Sequence, residues 1–188
     1  ELPFPVAGAV RFDNQAQFHP LKFLAGLLPG LRIHEHSEVQ KIQGHILYVR
    51  TAEGTYPVRA KKILLTSHFP SRNVPGFYFM RQHQELSYVL ALDHAGTFDG
   101  MYYCMDQNGH SFRSWENLLL AGGLGHRTGR LHPGDSYRQL WHAIRKWYPK
   151  AAVVAHWSNE DAMPHDSVPF IGPFSVWTPH IYVATGFR

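Results

Sequence analysis

The spacing of apolar and polar positions changes several times along the chain, and each period predicts an element. Leu21, Leu24, Ala25 and Leu28 fall on one helical face. Pro20 suits the first helical position, where its missing N–H costs nothing, and Pro29-Gly30 stops the helix. Leu31–His36 then alternates, Leu31 and Ile33 against Arg32 and His34, and reads as a strand. Glu38–Ile42 and Ile46–Arg50 read as a hairpin about Gln43-Gly44-His45. Thr51–Gly54 is a second turn and Tyr56–Ala60 a further strand. Lys61–Ser67 passes from charged to continuously apolar, the pattern of a strand buried on both faces.

Pro70 and Pro75 set a break at Ser71–Gly76, read here as a lobe boundary. Strand patterns follow at Glu85–Leu92, Met101–Met105, Ser111–Trp115 and Leu118–Ala121. Gly122-Gly123-Leu124-Gly125 reads as a flexible turn. A helix then begins at Asp135 or Ser136, with capping-box spacing in Ser136-Tyr137-Arg138-Gln139. Tyr137, Leu140, Trp141, Ile144 and Trp147 or Tyr148 form its apolar face, and Pro149 ends it. Ala151–Trp157 and Ile181–Thr185 are the last strands. Two helices among many strands predict an α+β fold.

Composition narrows the class. The chain has 188 residues, enough for one ordinary domain or two small lobes. Charged residues make up 17% and aromatics 14%, a balance that excludes intrinsic disorder. No apolar run is long enough for a membrane-spanning helix, so no membrane partner is expected. The single Cys104 excludes a disulfide framework and fits a reducing, cytoplasmic setting. The net charge is +4, but Lys and Arg are scattered. A nucleic-acid binder concentrates them on one face, so no nucleic acid is expected. The chain opens Glu-Leu-Pro-Phe-Pro, without Met or a signal-peptide pattern, and stops just after a strand. It reads as an internal fragment of a longer protein.

The candidate chemistry is sparse. Gly123-Leu124-Gly125 is the nearest approach to a G-x-G-x-x-G loop, but the next glycine, Gly129, comes one place late. A tight turn is the better reading, and no phosphate-cradling loop is expected. His34-Glu35-His36 would put two imidazoles on one side of a strand, too few ligands for a metal site. Cys104, mid-strand among apolar residues, reads as a buried inert thiol. Arg113, between aromatics, suits either a bidentate grip on a carboxylate or stacking on Trp115. The acidic segment Trp157–Asp166 marks a site or a tight turn.

Several segments match one family. Asp166-Ser167-Val168-Pro169-Phe170-Ile171-Gly172 resembles the D-G-x-P-x-I-G segment of D-amino-acid-oxidase-like flavoproteins. Ile181-Tyr182-Val183-Ala184-Thr185-Gly186 resembles the strand and turn that follow it. Phe77–Tyr88, Leu119–Gly129 and Phe12–Pro20 are similar to the bacterial branch often fused to a Rieske domain. The matches keep their order from end to end.

The resemblance implies part of an FAD-dependent oxidoreductase that oxidises a C–N bond of an amine or amino-acid-like substrate. It implies a mixed sheet with flanking helices plus a remnant of the FAD-binding domain. Residues 1–72 would be that remnant, 73–160 the substrate domain, and 161–188 the return towards the FAD domain. Cofactor contacts would fall at Val39, Thr66, Ser67, Ile171, Gly172, Thr185, Gly186 and Phe187. Substrate contacts would fall at Tyr88, Arg113, Asp161 and Met163. Two departures stand out. Ser167 replaces the family's usual glycine, and Asp161 and Met163 occupy the stretch where some members carry a carboxylate-binding arginine. Arg113 or Arg188 are the substitutes on offer. The glycine fingerprint for FAD and the Rieske C-x-H ligands are absent from the chain. This fragment alone is therefore expected to be inactive, not to bind FAD, and to self-associate through surface left by the missing FAD-binding domain. The competing reading is a non-enzymatic α+β ligand-binding or interaction module.

Overall fold

The computed structural model describes residues 2–106, 109–130 and 134–187. The chain separates into two compact units, Glu1–Lys61 and Lys62–Arg188. The Ser71–Gly76 break falls inside the second of them.

In the first unit, helix α1 (Pro20–Leu27) starts with Pro20 at its first turn. His19 caps it, its Nδ1 accepting from the Lys22 N–H at 3.3 Å. Strands β1 (Glu38–Gln43), β2 (Ile46–Thr51) and β3 (Gly54–Arg59) form an antiparallel meander. Gly44, at φ +53, opens the two-residue loop between β1 and β2. A tight hairpin needs a left-handed residue there. Leu31–His36 forms no strand, contrary to its alternation, and ends at His36 with φ +52. Alternation yields a strand only where a neighbour satisfies the backbone, and β1–β3 pair only with one another. His34 and His36 consequently do not share a strand face. Among the described residues of this unit, none is buried.

The second unit contains two sheets. In the smaller, β11 (Ile181–Thr185) lies between β10 (Phe170–Pro173), antiparallel to it, and β4 (Ile63–Leu65), parallel to it. The apolar run at Lys61–Ser67 thus supplies a three-residue edge strand. Ile63 is buried, but Leu64 is 63% exposed. The expected two-sided burial is not met: the face that carries Leu64 is left uncovered while the face that carries Ile63 is packed.

The larger sheet is antiparallel, in the order β6 (Met101–Tyr103), β7 (Ser111–Trp115), β8 (Leu118–Arg127), β5 (Gln82–Asp93), β9 (Ala152–Pro164). Helix α2 (Ser136–Ile144) packs on β5 and β8. Asp135 caps it by accepting from the Arg138 N–H at 3.2 Å. Its buried Leu140 and Ile144 meet a sheet face built from Leu90, Leu92, Phe112, Leu119 and Ala121. Burying each leucine side chain contributes about 1.5–3 kcal/mol.

Three further expectations change. Gly122–Gly125 lies inside β8, not in a turn. A Cβ on Gly122 would stand 2.5 Å from Ser111 Oγ, so this glycine serves close packing between strands. Trp157–Pro164 continues β9 as a strand, held by pairing along β5. Cys104 lies beyond β6 and is exposed, with its Sγ 3.6 Å from Asp106 Oδ2. It is not a buried thiol.

Candidate functional site

Parallel strands bring their carboxyl ends to one side of a sheet, and ligands of α/β folds bind outside those ends. In the second unit β4 and β11 run parallel, with Ile63 opposite Ile181 and Leu65 opposite Val183. Thr66, Ser67 and His68 leave β4 on the side where Thr185, Gly186 and Phe187 leave β11. Thr185 is 1% exposed, and its hydroxyl donates to the His68 carbonyl. His68 sits at φ +61 and its Nε2 donates to the Glu160 carbonyl. Ser67 Oγ donates to the Phe69 carbonyl at 3.1 Å.

Gly186 is required on two counts. Its φ is +82, and a Cβ there would stand 2.5 Å from Pro164 Cγ. Gln82, 2% exposed, donates from Nε2 to Thr185 Oγ1 at 3.4 Å. Gln82 Oε1 is buried without a hydrogen-bond partner among the described residues. Beside this, Ile171 pairs with Ala184 and is 73% exposed. Gly172 pairs with Val183 at φ +151, and open space surrounds its Cβ position. Seven of the eight expected cofactor residues therefore cluster about β4, β10 and β11. The eighth, Val39, belongs to the first unit, at a bulge in β1. It lines a groove of about 310 Å³ with His34, Val49, Tyr56 and Val58.

The expected substrate residues divide. Asp161 and Met163 lie on β9 directly opposite Glu85 and His83 of β5, so the four share one sheet face. Asn159 Nδ2 donates to Asp161 Oδ1 at 2.7 Å. Tyr88 falls on the other face, beside α2. Its hydroxyl hydrogen-bonds His126 Nε2 at 3.0 Å and its ring meets Tyr137 edge-on at 5.0 Å. Arg113 is exposed on β7, opposite Leu120, which in turn is opposite Ala91. Ordinary sheet spacings separate Arg113 from Asp161 by about 14 Å across the strands and about 20 Å along them. One small substrate does not span both. Arg188 lies outside the described residues.

Two imidazoles join the Asp161 face without having been singled out in the sequence. His83 Nε2 donates to Glu85 Oε1 at 3.2 Å, and its ring stacks on His165 at 5.7 Å. The signal was the i, i+2 spacing of His83 and Glu85 within a strand, which puts both on one face. Tyr78 and Arg81 flank the same region. Arg81 lies over the Phe170 ring at 4.2 Å, and Tyr78 donates to the Phe174 carbonyl at 3.3 Å. Burial raises the Tyr78 pKa, partly offset by the charge of Arg81. A cleft along the outside of α2 by Trp141, Arg145 and Lys146 contains none of the expected site residues. Among the described residues no group of three or more His, Cys, Asp or Glu side chains is placed to hold a metal ion.

Comparison with known proteins adds the following. The family described as FAD dependent oxidoreductase (DAO) matches residues 1–188. The protein YhfW of Bacillus subtilis (strain 168), which carries the name of a Rieske 2Fe-2S iron-sulfur protein, is 31% identical over 204 residues. That match takes in 100% of this chain and 40% of the relative, so the chain spans well under half of the relative's length. Among solved structures, glycine oxidase from Geobacillus kaustophilus superposes with a TM-score of 0.61 at 21% identity, over 81% of this chain and 43% of that one. Glycine oxidase from Bacillus cereus ATCC 14579 gives 0.64 at 16% identity, over 88% and 47%. The likeness to both is one of fold.

Proposed function

The chain belongs to the DAO family of FAD-dependent oxidoreductases, and from that premise we propose that it is a portion of an enzyme oxidising a C–N bond of an amine or amino-acid-like substrate. The convergence of Thr66–His68 with Thr185–Gly186 at the carboxyl ends of β4 and β11 carries the reading. The residues present fit one end of a bound FAD. Gly172 offers bare backbone to open space, and the buried Gln82 Oε1 beside Gly186 lacks a donor. FAD, when bound, supplies the hydride acceptor, and the protein orients what reacts with it.

Residues 1–72 and 161–188 form the cofactor side in this reading, and 73–160 the substrate side. The pairing of β4 with β11 supports grouping residues 63–65 with the last segment. Thr66, Ser67, Ile171, Gly172, Thr185, Gly186 and Phe187 flank the cofactor, and Val39 contacts its adenosine half. Met163 and Asp161, together with His83 and Glu85, face the substrate. They adjoin the cofactor side because Gln82, next to His83, pairs with Pro164 and bonds Thr185. Tyr88 and Arg113 are left out of this substrate set, since Tyr88 lies on the opposite sheet face and Arg113, on the same face, stands about 14 Å across and about 20 Å along the strands from Asp161. An Asp161 carboxylate next to the Glu85 carboxylate favours the amino group of a substrate over its carboxylate. The absence of buried residues among those described in the first unit supports a further FAD-binding portion covering it. No helix among the described residues is long and apolar enough to cross a membrane. A cytoplasmic setting remains part of the proposal.

The test is purification of the full-length parent and a visible absorption spectrum, followed by a screen of amines and amino acids for substrate-dependent bleaching of the flavin bands. Bleaching by members of either class is the expected result. A colourless parent that takes up no FAD overturns the reading.

A further inference from the structure

A buried polar atom without a partner has lost its water and gained nothing in return, so native chains seldom leave one. Gln82 is the first residue of β5 and is 2% exposed. Its Nε2 reaches Thr185 Oγ1 at 3.4 Å, and the Thr185 hydroxyl donates onward to the His68 carbonyl. This relay ties together the start of β5, the end of β11 and the loop leaving β4. These segments are 103 residues apart for Gln82 and Thr185, and 117 for Thr185 and His68. The other end of the same amide, Oε1, is left without a donor, 3.5 Å from where a Cβ on Gly186 would stand. A residue needed only for packing would be served as well by an apolar side chain of the same length. An amide with one end clamped and the other waiting is suited to receive an N–H from a group that arrives beside Gly186.

We propose that Gln82 is a positioning residue of the flavin site, holding the Thr185–Gly186 turn through its Nε2 and keeping its Oε1 as the acceptor for an N–H of the bound flavin. The inference rests on the cofactor reading given under Proposed function. Gln82 acts through Thr185 on the turn and through Oε1 on the cofactor. It takes no proton and no hydride.

The experiment uses the full-length parent with FAD. Gln82→Met keeps the length of the side chain and removes both polar ends. Gln82→Glu keeps an oxygen at the Oε1 position. Thr185→Val breaks the relay, and Thr185→Ser restores its hydroxyl. The dissociation constant for FAD, the position of the visible flavin bands and the urea midpoint of the FAD-free protein are measured for each. Gln82→Met is expected to weaken FAD binding about tenfold, the loss of one hydrogen bond of ordinary worth. It is also expected to shift the flavin bands, with Gln82→Glu recovering part of the affinity. Thr185→Val should weaken binding and Thr185→Ser restore it. Unchanged affinity and bands in Gln82→Met, or a change confined to the FAD-free urea midpoint, overturns the inference. Should Gln82→Met not accumulate as folded protein, the Thr185→Val and Thr185→Ser pair decides: equal FAD affinity in the two overturns it. A wild-type parent that binds no FAD instead overturns the cofactor reading itself, before any variant is compared.

Discussion

Gly123 lies against His110: a Cβ on Gly123 would stand 2.6 Å from the imidazole Nδ1. Leu140 Cδ1 of α2 would be 3.3 Å away on another side. The glycine is what lets the β7 approach and the helix close on the middle of β8. Gly123→Ala therefore sets two effects against each other. Reduced freedom of the unfolded chain stabilises by about 0.4–1 kcal/mol. Overpacking costs about 1–3 kcal/mol and prevails here, because a ring and a buried leucine must both give way. The variant is expected to unfold at lower urea than wild type. An unchanged or higher midpoint contradicts this account of β8.

His110 also makes stability depend on pH. Its ring packs edge-on to Trp147 at 5.9 Å and Phe112 at 6.4 Å, and its Nδ1 is buried without a hydrogen-bond partner among the described residues. Burial, and secondly the charge of Lys146, lower its pKa below the usual imidazole value. Below about pH 6.5 the unfolded chain then binds a proton that the folded chain resists. This contribution is complete above about pH 6.5 and is lost as pH falls through the lowered folded pKa. Thermal midpoints between about pH 7.5 and pH 5 should fall for wild type and fall less steeply for His110→Phe. Parallel curves would remove His110 as the cause.

Ser167 adopts φ +62 in the turn before β10, where Asp166 Oδ1 accepts from the Val168 N–H at 3.1 Å. A left-handed backbone costs a non-glycine residue roughly 1–2 kcal/mol, and glycine's extra freedom when unfolded returns part of that. The family's usual glycine is thereby explained in conformational terms. Ser167→Gly is expected to stabilise by about 0.5–1 kcal/mol, and Ser167→Val to destabilise. Urea denaturation of the two variants gives the comparison, and the reverse order would refute it.

The first unit should be the less protected one in this chain on its own. None of its described residues is buried, whereas Leu90, Leu92 and Leu119 in the second unit are at most 1% exposed. Opening of a segment costs little when few apolar contacts are lost. Amides of β1–β3 are expected to exchange with deuterium well before those of β5 and β8, as read by mass spectrometry. Equal protection would show that the meander holds itself together.

This chain alone, incubated with FAD and desalted, is expected to stay colourless, because it contains no glycine-rich loop to cradle the phosphates. Stoichiometric retention of FAD would refute that. The full-length parent, treated in the same way, provides the positive comparison.

Local sequence determined much of the secondary structure. Pro20 and Pro29-Gly30 bracket α1, and Asp135 caps α2 with Leu140 and Ile144 on its buried side. Ser111–Trp115 and Ile181–Thr185 are strands with the predicted bounds. In each case the deciding interaction lies within a few residues, as a cap, a turn or one apolar face. The failures share the opposite property. Leu31–His36 alternates but finds no strand to pair with, Gly122–Gly125 stays within β8 through its pairing with β5 despite a bulge at Leu124, and the Asp161 segment is a strand because β5 runs beside it. Family resemblance marked Thr66, Ser67, Thr185 and Gly186, and the i, i+2 spacing of His83 and Glu85 was the one local signal of that pair, but nothing local pointed to Gln82. Only the tertiary structure puts the end of β4, the end of β11 and the start of β5 in hydrogen-bonding contact across more than a hundred residues. Periodicity encodes which face of an element is apolar. Which distant element meets that face, and which buried amide is left with an open acceptor, is settled by the packing of the whole sheet.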